Sequence, residues 1–187
     1  MRAGASVLLF AALLGGCIYE PREPEGQPGA ACFEAITAPK DPIEVIFNMD
    51  GAIECFQVFD YMRQISEEFV FIAAPSVQAN HPDLFPVEDA WGRAQEEAFA
   101  NAFLADSSQD LDSSLLLRVI ERSGTSEVLI EAEYLLTISA GTSQFVYTGE
   151  AFYTFRQEHT VWVMVRWEEK ESDLPFGALK AELVGGR

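Results

Sequence analysis

The fold of this chain is decided by four β-rich segments: LLLRVIE (Leu115–Glu121), VLIEAEYLLTIS (Val128–Ser139), FVYTGEAFYTFRQ (Phe145–Gln157) and VWVMVRWEE (Val161–Glu169). The gaps between them contain residues typical of turns, including glycines, serines and threonines. The pattern predicts an antiparallel meander whose two central strands are too long to stay flat. Such a sheet needs other parts of the chain to cover its apolar face.

The alternation of residues along the central strands assigns their side chains to faces. In Val128–Ile138 every second residue, starting from the first, is apolar or a tyrosine, which places Glu131 and Glu133 on the opposite face. The same period in Phe145–Phe155 places Glu150 opposite the aromatic residues. We therefore expect these acids to be surface charges rather than catalytic bases.

Tyrosines are the polar residues expected inside the sheet. Tyr134, Tyr147 and Tyr153 share the apolar faces of their strands, and Tyr61 lies on the apolar face of a predicted helix. Their simplest role is core packing, with the hydroxyl groups satisfied at the rim. The alternative is that they line a site for a small apolar ligand.

The first half of the chain predicts helices that can cover the sheet. Asp41-Pro42-Ile43-Glu44 is a helix start, with an N-cap aspartate and proline at the first helical position. The expected apolar stripes are Ile43, Ile46, Phe47, Ala52 and Ile53 in this helix, Val58, Tyr61, Met62 and Ile65 in the next, and Ala90, Trp91, Ala94, Ala98 and Ala102 in the last. The predicted elements after the first helix, which is expected to break near Glu54–Phe56, are a helix over Gln57–Ile65, a strand over Phe69–Ile72, a loop over Ser76–Pro86, a helix over Val87–Leu104 and a polar turn over Asp106–Ser114.

The N-terminus has the pattern of an export signal. Its apolar run, Val7–Leu14, is too short to span a bilayer. Leu14-Gly15-Gly16-Cys17 closely resembles the lipobox of bacterial lipoproteins, which implies removal of residues 1–16 and lipid attachment to Cys17. Two or three acyl chains would anchor the protein stably. The alternative is an ordinary cleaved signal that happens to contain a cysteine.

The next segment, residues 17–40, is rich in proline and glycine and predicts an extended tether. It leads to a single domain over residues 41–187. Once Cys17 is assigned to the lipid, Cys32 and Cys55 remain as an even pair in an oxidising compartment, where a disulfide is expected. Two buried free thiols are the alternative.

The charge of the chain limits its partners. The formal net charge is -18, which argues against nucleic acid and against direct adsorption to anionic lipid headgroups. The expected contact with a membrane is therefore through the N-terminal lipid. Because Ile18 rather than aspartate follows the lipidated cysteine, the lipobox resemblance implies the periplasmic side of the outer membrane of the cell envelope.

The order of helices, short strand, helix and curved meander resembles the nuclear transport factor 2-like fold, a cone-shaped α+β domain. The chain is also similar to bacterial lipoproteins of unknown function that carry this fold. The residues behind this resemblance are Pro42, Val45, Ile46, Asn48, Met49, Ala52, Tyr61, Ile65, Phe69, Val70, Phe71, Trp91, Glu96, Glu97, Phe103, Tyr147, Gly149, Ala151, Tyr153, Trp162, Trp167 and Gly177–Ala181. The resemblance implies N-terminal helices packed on a strongly curved antiparallel sheet, and dimers through the open sheet face are common for this fold.

Catalytic and metal-binding patterns are weak. His81 and His159 fall in a predicted loop and a predicted turn, and Asp106, Asp110 and Asp112 lack the spacing of a calcium loop. We expect no catalytic residue, no metal and no cofactor. The leading hypothesis is a non-catalytic binding or envelope-associated module, with a small apolar ligand or a second copy as partner. The alternative is an isomerase or dehydratase with its site inside the cone.

Overall fold

The computed structural model describes residues 36–86, 91–104, 111–140 and 143–185. Within them the chain forms five helices and a six-stranded sheet. In chain order the elements are α1 (Pro42–Glu54), α2 (Val58–Arg63), β1 (Ile65–Ile72), α3 (Pro75–Asn80), β2 (Trp91–Gly92), α4 (Arg93–Leu104), β3 (Leu111–Gly124), β4 (Glu127–Ala140), β5 (Ser143–Glu158), β6 (Val161–Glu169) and α5 (Phe176–Gly185).

The strands lie in the order β2-β1-β6-β5-β4-β3. β3 to β6 form the predicted antiparallel meander, in which Tyr134 of β4 lies opposite Gly149 of β5. The sheet as a whole is mixed, because β1 runs parallel to β6. The predicted fold class, helices packed on a curved sheet, is confirmed.

Burial follows the predicted alternation along the strands. On β4 every second residue from Val128 to Ile138 is buried, including the tyrosine; the residues between them are half-buried, except Leu129, which is exposed. Among the core-facing residues of β5, Tyr147, Ala151, Tyr153 and Phe155 are also buried, Gly149 is half-buried, and Phe145 is 51% exposed near the start of the strand. The core therefore lies between this face of the sheet and the helices.

The helix α1 starts and ends as predicted. The Ile43 backbone N–H donates to Asp41 Oδ1 (2.9 Å), Pro42 occupies the first turn, and the helix ends at Glu54. Its predicted stripe is partly wrong, because Phe47 is 65% exposed while Val45 and Met49 are buried. The residues just before α1, in the predicted tether, already contact the domain, since Pro39 O accepts a hydrogen bond from Trp162 N (3.1 Å).

Several predicted boundaries are wrong. The second helix ends at Arg63 because Ile65 already pairs with β6, so the strand is longer than Phe69–Ile72. The predicted loop Ser76–Pro86 contains most of α3, and the predicted turn Asp106–Ser114 overlaps the start of β3. Trp91 and Gly92 pair with β1 as a short strand, so the predicted helix over Val87–Leu104 begins only at Arg93; residues 87–90 lie outside the described residues.

For two helices, the structure differs from the prediction in the existence of the helix or in its buried face. α5 was not predicted, and it packs beside α4 and β5. In α4 the buried face is formed by Glu96, Phe99, Ala100, Phe103 and Leu104. The predicted alanine stripe of this helix is wrong, because Ala94 and Ala98 are exposed. A charged residue thus occupies the centre of the buried face.

Candidate functional site

The interior of the cone contains a buried carboxylate that the sequence interpretation did not assign. Glu96 of α4 is fully buried. It accepts hydrogen bonds from the Tyr61 hydroxyl (2.7 Å), from Trp91 Nε1 (2.7 Å) and from Lys180 Nζ (2.5 Å). These donors come from α2, β2 and α5, so a single carboxylate joins four elements.

The Lys180 ammonium group is enclosed by aromatic rings. Nζ lies 4.0 Å from the ring centroid of Phe71 and 4.8 Å from that of Trp167. The other rings within reach are those of Trp91, Phe99 and Phe176. A cation facing aromatic rings is attracted by their quadrupoles, which partly replaces lost hydration. Burial lowers the pKa of Lys180, and the charges of Glu96 and Glu169 oppose that shift.

A second carboxylate, Glu169 at the end of β6, lies at the N-terminus of α5. It accepts hydrogen bonds from the Tyr134 hydroxyl (2.7 Å) and from the Gly177 backbone N–H (3.0 Å). Tyr134 Oη in turn accepts a hydrogen bond from Phe176 N (2.8 Å). Burial raises the pKa of Glu169, and its hydrogen bonds act in the opposite direction. This carboxyl group caps the helix and fixes α5 on the sheet.

Next to these groups lies a small apolar cavity with a free volume of about 20 Å³. Such a volume holds about one water molecule. The lining residues are Ile46, Met49, Ile53, Tyr61, Leu115, Tyr134, Leu136, Tyr153, Met164, Trp167 and Phe176. The interior is therefore filled by side chains, with aromatic rings supplying much of the volume.

The predicted tyrosines divide between this cavity and the core beside it. Tyr61, Tyr134 and Tyr153 line the cavity. Tyr147 is buried but does not line it, and the pKa of its hydroxyl is raised by burial and by the charge of Glu182 on α5. Gly149 of β5 packs against one of these tyrosines, and a Cβ at this position would lie 2.7 Å from Tyr134 Oη.

The cysteines are described only in part. Cys17 and Cys32 lie outside the described residues. Cys55, which follows α1, is disulfide-bonded. Its partner is not among the described residues, so pairing with Cys32 stays a prediction.

The other residues considered for chemistry lie on the surface. His81 and His159 are exposed, as predicted. The strand acids lie on the outer face, where Glu133 pairs with Arg118, and Glu131 and Glu150 pair with Lys170. Asp106 and Asp110 lie outside the described residues. Within the described ranges, no group of three or more His, Cys, Asp or Glu side chains is arranged to hold a metal.

Weak signals for the missed residues were present in the sequence. Glu169 is two residues after Trp167, so the strand period places both on one face. Glu96, Phe99 and Phe103 have helical spacing, as do Phe176 and Lys180. Lys, Arg, Asp and Glu side chains are almost never fully buried unless they are paired. The partners of Glu96 and Glu169 are distant in the chain, so the sequence around each acid does not show that it is paired.

The comparisons with known proteins concern the fold. No protein-family model matches the sequence, and neither does any curated protein. A protein from Novosphingobium aromaticivorans assigned as a scytalone dehydratase superposes with a TM-score of 0.55 at 12% identity, over 70% of this chain and 80% of that one. The chain has the predicted cone-shaped α+β fold of the nuclear transport factor 2-like type.

Other solved structures with the same architecture differ widely in kind. A protein from Thiobacillus denitrificans assigned as a calcium/calmodulin-dependent protein kinase type II association domain has a TM-score of 0.52 at 16% identity, over 73% of this chain and 99% of that one. ActVI-ORFA from Streptomyces coelicolor has a TM-score of 0.52 at 11% identity, over 68% of this chain and 91% of that one. Such a range shows a shared fold, and a fold alone does not determine function.

Proposed function

We propose that this protein is a lipid-anchored component of the bacterial cell envelope, on the periplasmic side of the outer membrane, whose cone domain is a non-catalytic binding or envelope-associated module. The non-catalytic assignment is based on one observation: side chains fill the interior of the cone. A cavity of about 20 Å³ is far below the roughly 300–1,000 Å³ typical of small-molecule sites. Glu96 and Glu169 are also engaged by internal donors.

The anchoring part of the proposal rests on Leu14-Gly15-Gly16-Cys17. Among the described residues, no helix has both the length and the apolar character needed to cross a bilayer. In this proposal the lipid on Cys17 supplies the membrane attachment.

Metabolic labelling with palmitate tests the anchor. We expect the wild-type chain to incorporate label and to partition into detergent, and Cys17→Ser to do neither. Cys32→Ser is the control, because it replaces the other cysteine of the N-terminal region and should leave the labelling at Cys17 unchanged. Equal labelling of wild-type protein and Cys17→Ser would contradict lipid attachment at Cys17.

A specific observation supports a second candidate, an isomerase or dehydratase. Two tyrosine–carboxylate pairs, Tyr61–Glu96 and Tyr134–Glu169, lie inside the cone beside the cavity. A buried carboxyl group next to a hydroxyl group is a general acid–base arrangement. The likeness to a protein assigned as a scytalone dehydratase agrees with this reading, although it concerns fold alone.

Ligand-dependent thermal stability separates the two candidates. We expect benzene and phenol to leave the wild-type melting temperature unchanged, and to raise that of Leu136→Ala, whose substitution enlarges the lined cavity. The enzyme hypothesis predicts binding by the wild-type protein instead. Loss of water from a cyclic hydroxyketone, catalysed by wild-type protein and abolished in a folded Tyr134→Phe variant, would overturn the non-catalytic assignment.

A further inference from the structure

Two phenylalanines on the first two helices are exposed to solvent. Phe47 of α1 is 65% exposed and Phe59 of α2 is 74% exposed. Each helix buries other residues against the core, so packing within the domain does not account for an aromatic ring at either position. A single exposed apolar side chain is ordinary, whereas several that lie together indicate a contact surface.

Hydrogen bonds place both phenylalanines beside the same contact between the helices. Asn48 Nδ2 donates to Gln64 Oε1 (3.2 Å), and Gln64 Nε2 donates to the backbone oxygen of Asp60 (3.2 Å). Phe47 precedes Asn48 in the chain, and Phe59 precedes Asp60. The two backbones therefore lie close together, and we call the exposed area around them the Phe47–Phe59 surface.

The N-terminal segment enters the domain at this surface. Asn48 Nδ2 also donates to the backbone oxygen of Thr37 (3.0 Å), and the described chain begins one residue earlier, at Ile36. Covalent geometry limits the distance from Cys17 to Ile36 to roughly 65 Å at full extension. The surface around Thr37 is thus the described part of the domain that lies nearest along the chain to a lipid on Cys17.

We propose that the Phe47–Phe59 surface docks on the bilayer that holds the Cys17 lipid, with both rings inserted between the headgroups and the upper acyl chains. This inference rests on the proposed lipid attachment and adds a fixed orientation of the domain to it. The first two helices face the bilayer. The outer face of the sheet, on the side away from the helices, remains accessible to other partners.

The charges of this region favour an apolar contact over an electrostatic one. Glu44 and Glu54 are exposed on α1, and the net charge of -18 repels anionic headgroups. The nearby cation, Arg63, pairs with Asp60 (3.4 Å), and its Cζ lies 5.6 Å from the centroid of the Phe59 ring. The bilayer that fits this surface is therefore a zwitterionic one, and the rings supply the attraction.

The lipid makes a contact of two rings sufficient. Burial of one phenylalanine ring strengthens binding by about tenfold to a hundredfold. Two rings are too few to retain a free protein, since even a single myristoyl chain gives marginal binding. A domain that is already attached to the bilayer has an effective concentration on the order of millimolar at its surface. The docked orientation therefore requires only a weak intrinsic affinity.

Tryptophan fluorescence of the full-length, lipid-modified protein on phosphatidylcholine vesicles tests the docked surface. The three native tryptophans are at most 8% exposed, so a tryptophan introduced at an exposed site can be measured after subtraction of the wild-type emission. We expect Phe47→Trp and Phe59→Trp to emit about twofold less on vesicles with brominated acyl chains than on unbrominated vesicles, because inserted side chains reach the acyl boundary.

Leu116→Trp is the matched control. Leu116 is 66% exposed, like Phe47, but it lies on the face of the sheet opposite to Leu115 and the cavity. Its emission should be the same on both kinds of vesicle. Equal quenching of this variant would show that the domain has no fixed orientation and would overturn the proposal.

Co-sedimentation of the same samples with the vesicles separates the docked surface from the anchor. Protein that does not sediment overturns the lipid anchor, and the docked surface with it. Protein that sediments without quenching of Phe47→Trp and Phe59→Trp overturns the docked surface alone, and this result is expected if a protein partner covers the rings. Quenching that is lost when the salt concentration rises from about 0.1 M to about 1 M would indicate adsorption by charge and would overturn insertion of the rings.

Discussion

Lys180 keeps its ammonium group where solvent does not reach it. It is fully buried, at 2.5 Å from Glu96, with aromatic rings around it. The attraction between two buried charges roughly compensates for their lost hydration, so such a pair adds little stability by itself. Removing one partner is different, because it leaves the other charge buried and uncompensated.

Lys180→Met should therefore reduce the free energy of unfolding by about 3–5 kcal/mol. Replacing both partners, in Lys180→Met with Glu96→Gln, should recover much of that loss, because the neutral amide can still pair with Trp91 Nε1 and the Tyr61 hydroxyl. Urea denaturation at neutral pH measures both changes. Arg166→Met is the control, because its pair with Glu168 is exposed and should contribute at most about 1 kcal/mol. A Lys180→Met cost no larger than that of the control would contradict this account.

Gly149→Ala should destabilise the protein by about 1–3 kcal/mol through overpacking. The added Cβ would lie 2.7 Å from Tyr134 Oη and 2.9 Å from its Cζ. Tyr134 cannot move freely, because it is held by Glu169 and by the Phe176 backbone N–H. Thermal unfolding provides the measurement. A wild-type melting temperature for the variant would show that the ring can shift at little cost.

At the level of elements, α5 lacks the sequence pattern of an amphipathic helix and is held in place by capping and packing. Its buried residues Phe176, Gly177, Leu179, Lys180 and Ala181 do not form the narrow stripe of an amphipathic surface helix. The helix is held at its N-terminus by Glu169 and along its length by the contact of Lys180 with Glu96. It therefore depends on α4 and β6 for its place in the fold.

Two glycines in different elements should respond to alanine with opposite signs. Gly51 lies inside α1 with no other group within 4 Å of an added Cβ, so Gly51→Ala should stabilise the protein by about 0.5–1 kcal/mol. Gly124 ends β3 with φ of +96°, and an added Cβ would lie 2.0 Å from Glu127 O. Gly124→Ala should therefore destabilise it by about 1 kcal/mol or more. Parallel thermal denaturation of both variants checks the two signs.

At the level of the whole molecule, the outer face of the sheet combines paired charges with exposed apolar residues. Arg118–Glu133 and Lys170–Glu150 lie on this face. Leu116, Leu129 and Val146 are 66%, 40% and 38% exposed on the same face. Exposed apolar groups rimmed by polar residues are typical of protein–protein interfaces.

We expect this outer face to form a homodimer, and mass measurement of the protein in solution tests the expectation. The wild-type protein should have twice the mass of the chain at micromolar concentration, whereas Leu116→Glu should be largely monomeric because a charge would be buried at the interface. Phe47→Glu is the matched control, since it changes an equally exposed residue on α1. A monomeric wild-type protein would rule out the dimer.

The sequence by itself determined the meander, its faces and the start of α1. These features depend on residues close together in the chain: the period of two along β4 and β5, and the cap at Asp41-Pro42. The tertiary structure alone decided which charges enter the core. Glu96 meets Lys180 and Glu169 meets Tyr134 across 84 and 35 residues of sequence. A buried charge is tolerated only where partners compensate for its lost hydration. Here the partners are distant in the chain, so a local sequence pattern cannot identify them.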